Sequence, residues 1–211
     1  SQDKEVTLVH YKGALRNAMR DGGISAKTSL KEFEGKKNFY APGAIEKLKG
    51  EIQIFNSKVF NSFVENSQLR FDSSFNKKAS LLVYASVSDW EEIQIPSKVK
   101  TYKELEDFIH QKANERDFKN KAFPFLIDGK AKFIDWHVIN WKDGDMDHSH
   151  EKHKKSGLYG RLKNTDLDIL GFYSSSHHGI FTHHSTNMHM HFKTKDRKST
   201  RLNSVTWPSR M

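Results

Sequence analysis

Apolar residues change their spacing several times along this chain, and each change predicts a change of element. From Tyr11 to Arg20 they recur at helical intervals, with Tyr11, Leu15, Ala18 and Met19 on one face, which predicts a short helix ended by Asp21-Gly22-Gly23. A weaker helical stretch spans Ser29 to Glu34, and Pro42-Gly43 predicts a loop after it. The period then drops to two. Ile52 and Ile54 alternate with Glu51 and Gln53, Asn56-Ser57 supplies a turn, and Val59 to Val64 reads as the partner strand of a hairpin. Leu81 to Val87 is apolar at consecutive positions, as in a strand buried on both faces. Thr101 and Glu104 have capping-box spacing, and Leu105, Phe108 and Ile109 form the apolar stripe of the helix that follows.

Beyond the polar segment from Gln111 to Asn120 the pattern is mainly that of strands. Phe123 to Ile127, a hairpin turn at Asp128-Gly129, and Lys132 to Trp141 form one predicted pair. Leu158 to Leu162, Asp168 to Tyr173 and Met188 to Phe192 predict three more. Together these elements predict an α+β protein with mixed or antiparallel sheets and a few short helices. It divides into an N-terminal sheet-containing half over 1–120, carrying Glu51, and a mainly β half over 121–195.

Composition narrows the function classes. The chain has 211 residues, 36% hydrophobic and 12% aromatic, enough for a real core, with a mean hydropathy of -0.76. No stretch reaches the ~20 apolar residues of a membrane-spanning helix. The polar start Ser1-Gln2-Asp3 suits a chain cut from a signal peptide as well as an incomplete reading frame, so cytoplasmic and exported locations both stay open. The formal charge of +9 raises the question of nucleic acid, but the lysines come as scattered doublets, and no nucleic-acid-binding motif accompanies them. The sequence therefore predicts no nucleic-acid partner; a homodimer is compatible with it.

The last sixteen residues contribute +3 of that charge. Their opening, Asp196 to Ser204, resembles the translation of a sequencing-library adapter, and on that reading the native chain stops near Lys195. The bland reading is an ordinary basic, polar tail. Both predict disorder beyond Lys195.

With no cysteine, a transition metal would have to rest on His, Asp or Glu, and ten of the 12 histidines lie between His137 and His191. In Met188-His189-Met190-His191-Phe192, strand geometry puts His189 and His191 on one face about 6.5 Å apart, with Met188, Met190 and Phe192 on the other. Such a pair can chelate one ion; two surface imidazoles on a half-buried strand would read the same. Asp143, Asp145 and Asp147 followed by His148 tempt a calcium-loop reading, which fails because His148 and Lys154 occupy the glycine and glutamate positions. That segment reads instead as a polar hairpin tip. In the pairs His177-His178 and His183-His184 neighbours point oppositely in a strand, leaving His183 or His184 as the best further ligand.

Three stretches resemble the acetolactate decarboxylase family, within a likeness that runs from about Val9 to Lys195. The first opens with Leu8-Val9-His10-Tyr11 and Ala14-Leu15 and reaches Gly50-Glu51-Ile52 and Val59-Phe60, where a glycine-glutamate pair begins a strand. The second, Phe123-Pro124-Phe125-Leu126-Ile127-Asp128-Gly129, is similar to the family's central strand and turn. The third and most specific is Met188 to Phe192, which resembles its His-x-His-Phe metal strand.

The resemblance implies Zn2+, or another divalent metal, held by His189 and His191 and by a third histidine downstream after a glycine, with Glu51 as the acid beside it. It implies decarboxylation of 2-acetolactate, or a related 2-hydroxy-3-keto acid, to acetoin and CO2. Two departures stand against it. No histidine follows Lys195, and a C-terminal glutamate of the family is likewise missing, as expected if the adapter displaced the native C-terminus, and on that reading the chain as given is expected to be inactive. Leu126 stands where the family has an arginine that would clamp the substrate carboxylate, so Lys130 or Arg161 takes its place or the substrate differs. The alternative is a non-catalytic, His-rich extracytoplasmic protein that binds metal or a small carboxylate.

Overall fold

The computed structural model describes residues 9–19, 23–116, 118, 120–145, 149–195 and 199–204. Its strands begin with β1 (His10–Lys12), β2 (Thr28–Ser29), β3 (Phe39–Ile45), β4 (Glu51–Phe55), β5 (Lys58–Val59), β6 (Asn61–Glu65), β7 (Gln68–Asp72) and β8 (Lys78–Ser86). Helix α1 (Tyr102–Asn114) follows, then β9 (Phe123–Val138), α2 (His150–Lys155), β10 (Leu158–Tyr173), β11 (Met188–Thr194) and β12 (Ser199–Ser204). The described strands through β8 form one sheet in the order β1-β8-β3-β4-β6-β7, with β2 beside β8 and β5 beside β4. The remaining four close into a barrel, β10-β11-β12-β9. All these strand pairings are antiparallel, as an α+β class with antiparallel sheets requires.

Local signals set several boundaries as expected. Thr101 and Glu104 make the expected capping box at α1, and the weak helical stretch from Ser29 is a short 3-10 turn, Leu30–Phe33, whose capping box of Ser29 and Glu32 was not among the expected features. Asn56 and Ser57 both take positive φ, 46° and 66°, which suits the tight turn from β4 into β5.

Elsewhere tertiary pairing overrides the local pattern. Tyr11 pairs with Val83 on the edge of β8, so only Leu15–Met19 remains helical, as a 3-10 turn. Pro42-Gly43 lies inside β3 rather than in a loop, because that strand is buried throughout between β4 and β8 and shows no alternation. Asp128-Gly129 is not a hairpin turn: Asp128 pairs with Asp168 and Gly129 with Leu167 within one 16-residue strand. The two strands expected over 158–173 are likewise one, β10, whose polar middle is exposed rather than a connection. The expected polar hairpin tip is the connection from β9 to β10, whose ends pair at Val138 and Leu158, and residues 150–155 within it form the short helix α2. Disorder past Lys195 does not hold for Ser199–Ser204, which pairs with both β11 and β9 to close the barrel; 196–198 and 205–211 lie outside the described residues.

The sheet has a core of its own around Leu30, Phe39, Ile52, Ile54 and Leu82, and the barrel packs Ile134, Leu167, Ile169 and Phe192 with α1 residues Leu105 and Ile109. Two further clusters span both. Tyr40, Phe55 and Val83 pack with Leu170, Phe172 and Phe181, and Ala44, Leu48 and Leu81 pack with Ile139 and Trp141. Part of the face of the sheet opposite Ile52 and Ile54 therefore packs against the barrel. Among the described residues no helix is long and apolar enough to cross a membrane.

Candidate active site

Glu51 opens β4, where alternation sends Ile52 and Ile54 into the sheet core and Glu51, Gln53 and Phe55 toward the barrel. Gly50 makes this entry sterically allowed. Its φ is +149°, and a Cβ there would stand 2.5 Å from the Ser62 carbonyl oxygen. Glu51 is fully buried, unlike the exposed strand-start charge that alternation alone describes, and its Oε1 accepts the Ile139 N–H at 3.1 Å. Gln53, one step along the same face, is also fully buried, and neither its amide oxygen nor its nitrogen has a hydrogen-bond partner among the described residues.

On β11, Met188, Met190 and Phe192 enter the barrel core while His189 and His191 occupy the other face, 5% and 0% exposed. Their rings stack at 26° with centroids 4.9 Å apart, and the two Nε2 atoms are 2.9 Å from each other. Two nitrogens bound to one ion at ~2.0–2.1 Å stand no more than about 4 Å apart, so the pair fits as two ligands of a single cation. Among the described residues no group of three or more His, Asp or Glu side chains is placed to hold a metal.

Strand register ties this pair to residues far away in sequence. Leu126 pairs with Leu170, Leu170 with His191, His191 with Arg201, and Arg201 with His137, which makes one row around the barrel. Register mates share a sheet face. Leu126 thus stands on the face of His191 with one strand between them, and position 201 sits between two histidines. His137, 3% exposed, carries no motif that would have singled it out in the sequence.

A cavity of about 250 Å³ opens beside this row. His137, His153, His183, His184 and His189 line it, with Arg16, Thr182 and the apolar Leu15, Leu81 and Ile139. Its size suits a molecule smaller than a drug-sized ligand. Among the described residues Glu51 is not itself in the lining; it is joined to it through the N–H of Ile139. His183 and His184, one of which was expected as a further ligand, both line the cavity, and among the described residues neither completes a metal group with His189 and His191. His153 packs edge-on against Trp141 at 4.4 Å. Two of the aspartates before it are engaged by lysines, Asp143 by Lys49 at 3.3 Å and Asp145 by Lys152 at 2.8 Å. Asp147 and His148 lie outside the described residues. His177 stacks on Phe181 and meets Ser174 Oγ at 2.6 Å; burial lowers its pKa below the ordinary imidazole value. His178 bonds Asn187 Oδ1 at 2.6 Å.

Neither cation expected to replace the arginine at position 126 lies in the cavity wall. Arg161 grips Asp135 through two nitrogens, at 2.5 and 2.7 Å, and Lys130 is exposed on β9.

A family model described as alpha-acetolactate decarboxylase matches residues 11–200. The crystal structure of alpha-acetolactate decarboxylase from Bacillus subtilis strain 168 has a TM-score of 0.75 at 16% identity, covering 96% of this chain and 82% of that one. Acetolactate decarboxylase from Bacillus subtilis subspecies spizizenii gives 0.74 at 17%, covering 96% and 83%. A Staphylococcus aureus protein of unknown function, similar to alpha-acetolactate decarboxylase, gives 0.69 at 14%, covering 95% and 82%. At these identities the likeness is one of fold. No protein of curated function matches the sequence.

Proposed function

From the premise that this chain belongs to the alpha-acetolactate decarboxylase family, we propose that it is a carboxy-lyase that converts 2-acetolactate, or a related 2-hydroxy-3-keto acid, to acetoin and CO2 with a divalent metal, Zn2+ by preference. The observation that carries this reading is the His189–His191 pair, buried with its Nε2 atoms 2.9 Å apart beside a cavity of small-molecule size.

His189 and His191 would hold the metal as two of its protein ligands. When bound there, the cation supplies a Lewis acid for the electron pair that the departing CO2 leaves behind. In the reaction the C1–C2 bond breaks, the pair moves onto C2 and the neighbouring carbonyl, and C2 then takes a proton. Glu51 is the group assigned to deliver it. Its carboxyl lies out of water, with Oε1 oriented by the Ile139 N–H, so proton delivery has one direction rather than many. The apolar wall of Leu15, Leu81 and Ile139 limits competing water.

The test is direct. The chain is loaded with Zn2+, supplied with 2-acetolactate, and assayed for acetoin and CO2. Acetoin release dependent on His189 and Glu51 supports the reading; no turnover at full metal occupancy overturns it. That two rather than three ligands converge among the described residues favours the rival reading, a metal- or carboxylate-binding protein without turnover. It predicts zinc binding with no acetoin.

A further inference from the structure

An acid substrate needs a cation to meet its carboxylate, and Leu126, Lys130 and Arg161 do not provide one at the cavity. Arg16 is the only Arg or Lys in the cavity lining among the described residues. It makes no salt bridge among the described residues, whereas Arg116 and Arg161 are each clamped by a carboxylate. Its backbone is fixed. Leu15 donates its N–H to the Ile180 carbonyl and Arg16 to the Gly179 carbonyl, both at 2.7 Å, so the 3-10 turn is pinned directly to a neighbouring loop that also lines the cavity.

That loop brings a second polar group to the same place. Gly179 donates to the Thr182 carbonyl at 2.8 Å, which sets Thr182 one backbone link from Arg16. Thr182 lines the cavity, is fully buried, and its Oγ1 has no hydrogen-bond partner among the described residues. A buried hydroxyl left unbonded is unfavourable, and native structures ordinarily satisfy it with protein, water or ligand. Gly179, at φ +72°, leaves the room: a Cβ there would stand 3.0 Å from the His184 ring and 3.7 Å from Arg16 Cβ.

We propose that Arg16 and Thr182 form the acid-binding end of this cavity, with the Arg16 guanidinium taking the substrate carboxylate and the Thr182 hydroxyl bonding the adjacent oxygen. The assignment rests on the decarboxylase reading for its substrate class, a small 2-hydroxy acid. It makes substrate recognition in this chain independent of position 126.

The test uses binding, so that it does not depend on turnover. 2-Hydroxy-2-methylpropanoate and its uncharged amide are titrated against the full chain by calorimetry at fixed ionic strength. Wild type is expected to prefer the acid by roughly 10- to 100-fold, as one charge-assisted bond warrants. Arg16→Leu should abolish that preference, Arg16→Lys should keep part of it, and Thr182→Val should weaken acid and amide alike. Unaltered thermal unfolding of the variants establishes that they fold. A preference that survives in Arg16→Leu, or a wild type that does not distinguish acid from amide, overturns the proposal. Failure of the decarboxylase reading is separately visible as absent acetoin with acid preference intact.

Discussion

His189 and His191 meet at their Nε2 atoms, 2.9 Å apart, because two residues on one face of β11 have no other direction to turn once Met188, Met190 and Phe192 fill the barrel core. The strand period that buries the methionines is what brings the imidazoles together, so the metal-binding capacity and the packing of β11 are a single feature of the sequence.

Loss of either ring should therefore remove metal affinity. Removing even an outer-shell partner of a metal ligand costs about 10- to 100-fold in affinity, so His189→Ala should weaken Zn2+ binding by at least about 100-fold. Zinc titration followed by calorimetry checks this. Affinity close to wild type would move the metal to other histidines and remove the basis of the decarboxylase reading.

Glu51 separates chemistry from stability through the choice of substitution. Glu51→Gln keeps an oxygen for the Ile139 N–H but cannot give up a proton, so kcat should fall about 100- to 10,000-fold with KM nearly unchanged. Glu51→Ala also leaves that N–H buried and unbonded, and should unfold more easily by about 1–3 kcal/mol. Steady-state kinetics and urea unfolding distinguish the two. Equal kcat in wild type and Glu51→Gln would take the proton donor away from this position.

How much of this was legible follows from the range of the contacts. The His189–His191 pair and the Thr101–Glu104 capping box depend on neighbours within four residues, and the sequence carries them openly. Glu51 was legible as a strand start but not as a buried acid, because what covers it is Ile139, 88 residues away. Asp128-Gly129 has the composition of a turn, yet β10 pairs across it without a break. His137 and Leu126 join the row of His191 only through intervening strands, and no periodicity within one segment encodes a register between segments. Arg16 read as one polar position in a helix; its place in the cavity depends on the Gly179 and Ile180 carbonyls.

Gln53 makes a prediction about stability alone. Its amide is fully buried with both polar atoms unbonded among the described residues, a situation that costs on the order of 1–3 kcal/mol. Gln53→Met keeps the length of the side chain and removes the amide, so the variant should gain about 1 kcal/mol. In a chain of this size that raises Tm by roughly 2–4 °C. A lowered Tm in calorimetry would mean that the amide is satisfied in solution.

The depressed pKa of His177 gives a pH signature. Burial favours the neutral ring, so the unfolded chain takes up a proton first as pH falls below the ordinary value of 6.5. The stabilisation is complete above that pH and is lost as pH drops toward the folded-state value. His177→Gln should flatten the decline in unfolding free energy between pH 6.5 and 5. A pH dependence unchanged from wild type would assign the decline to other groups.

Leu126 offers a way to rebuild a carboxylate clamp where the family has one. Register puts it on the face of His191 with β10 between them, a separation of about 9–10 Å from the spacing of neighbouring strands. The leucine is 38% exposed, so a longer side chain can enter without displacing core atoms. Leu126→Arg should then tighten binding of 2-hydroxy-2-methylpropanoate relative to its amide by about 10-fold, the value of one charge-assisted hydrogen bond. The informative background is Arg16→Leu, where the acid preference is expected to be absent. If Leu126→Arg restores it there, positions 16 and 126 serve the same bound carboxylate from two sides. If the double variant still treats acid and amide alike while folding normally, arginine at 126 does not reach the ligand in this chain, and the leucine marks a different substrate pose.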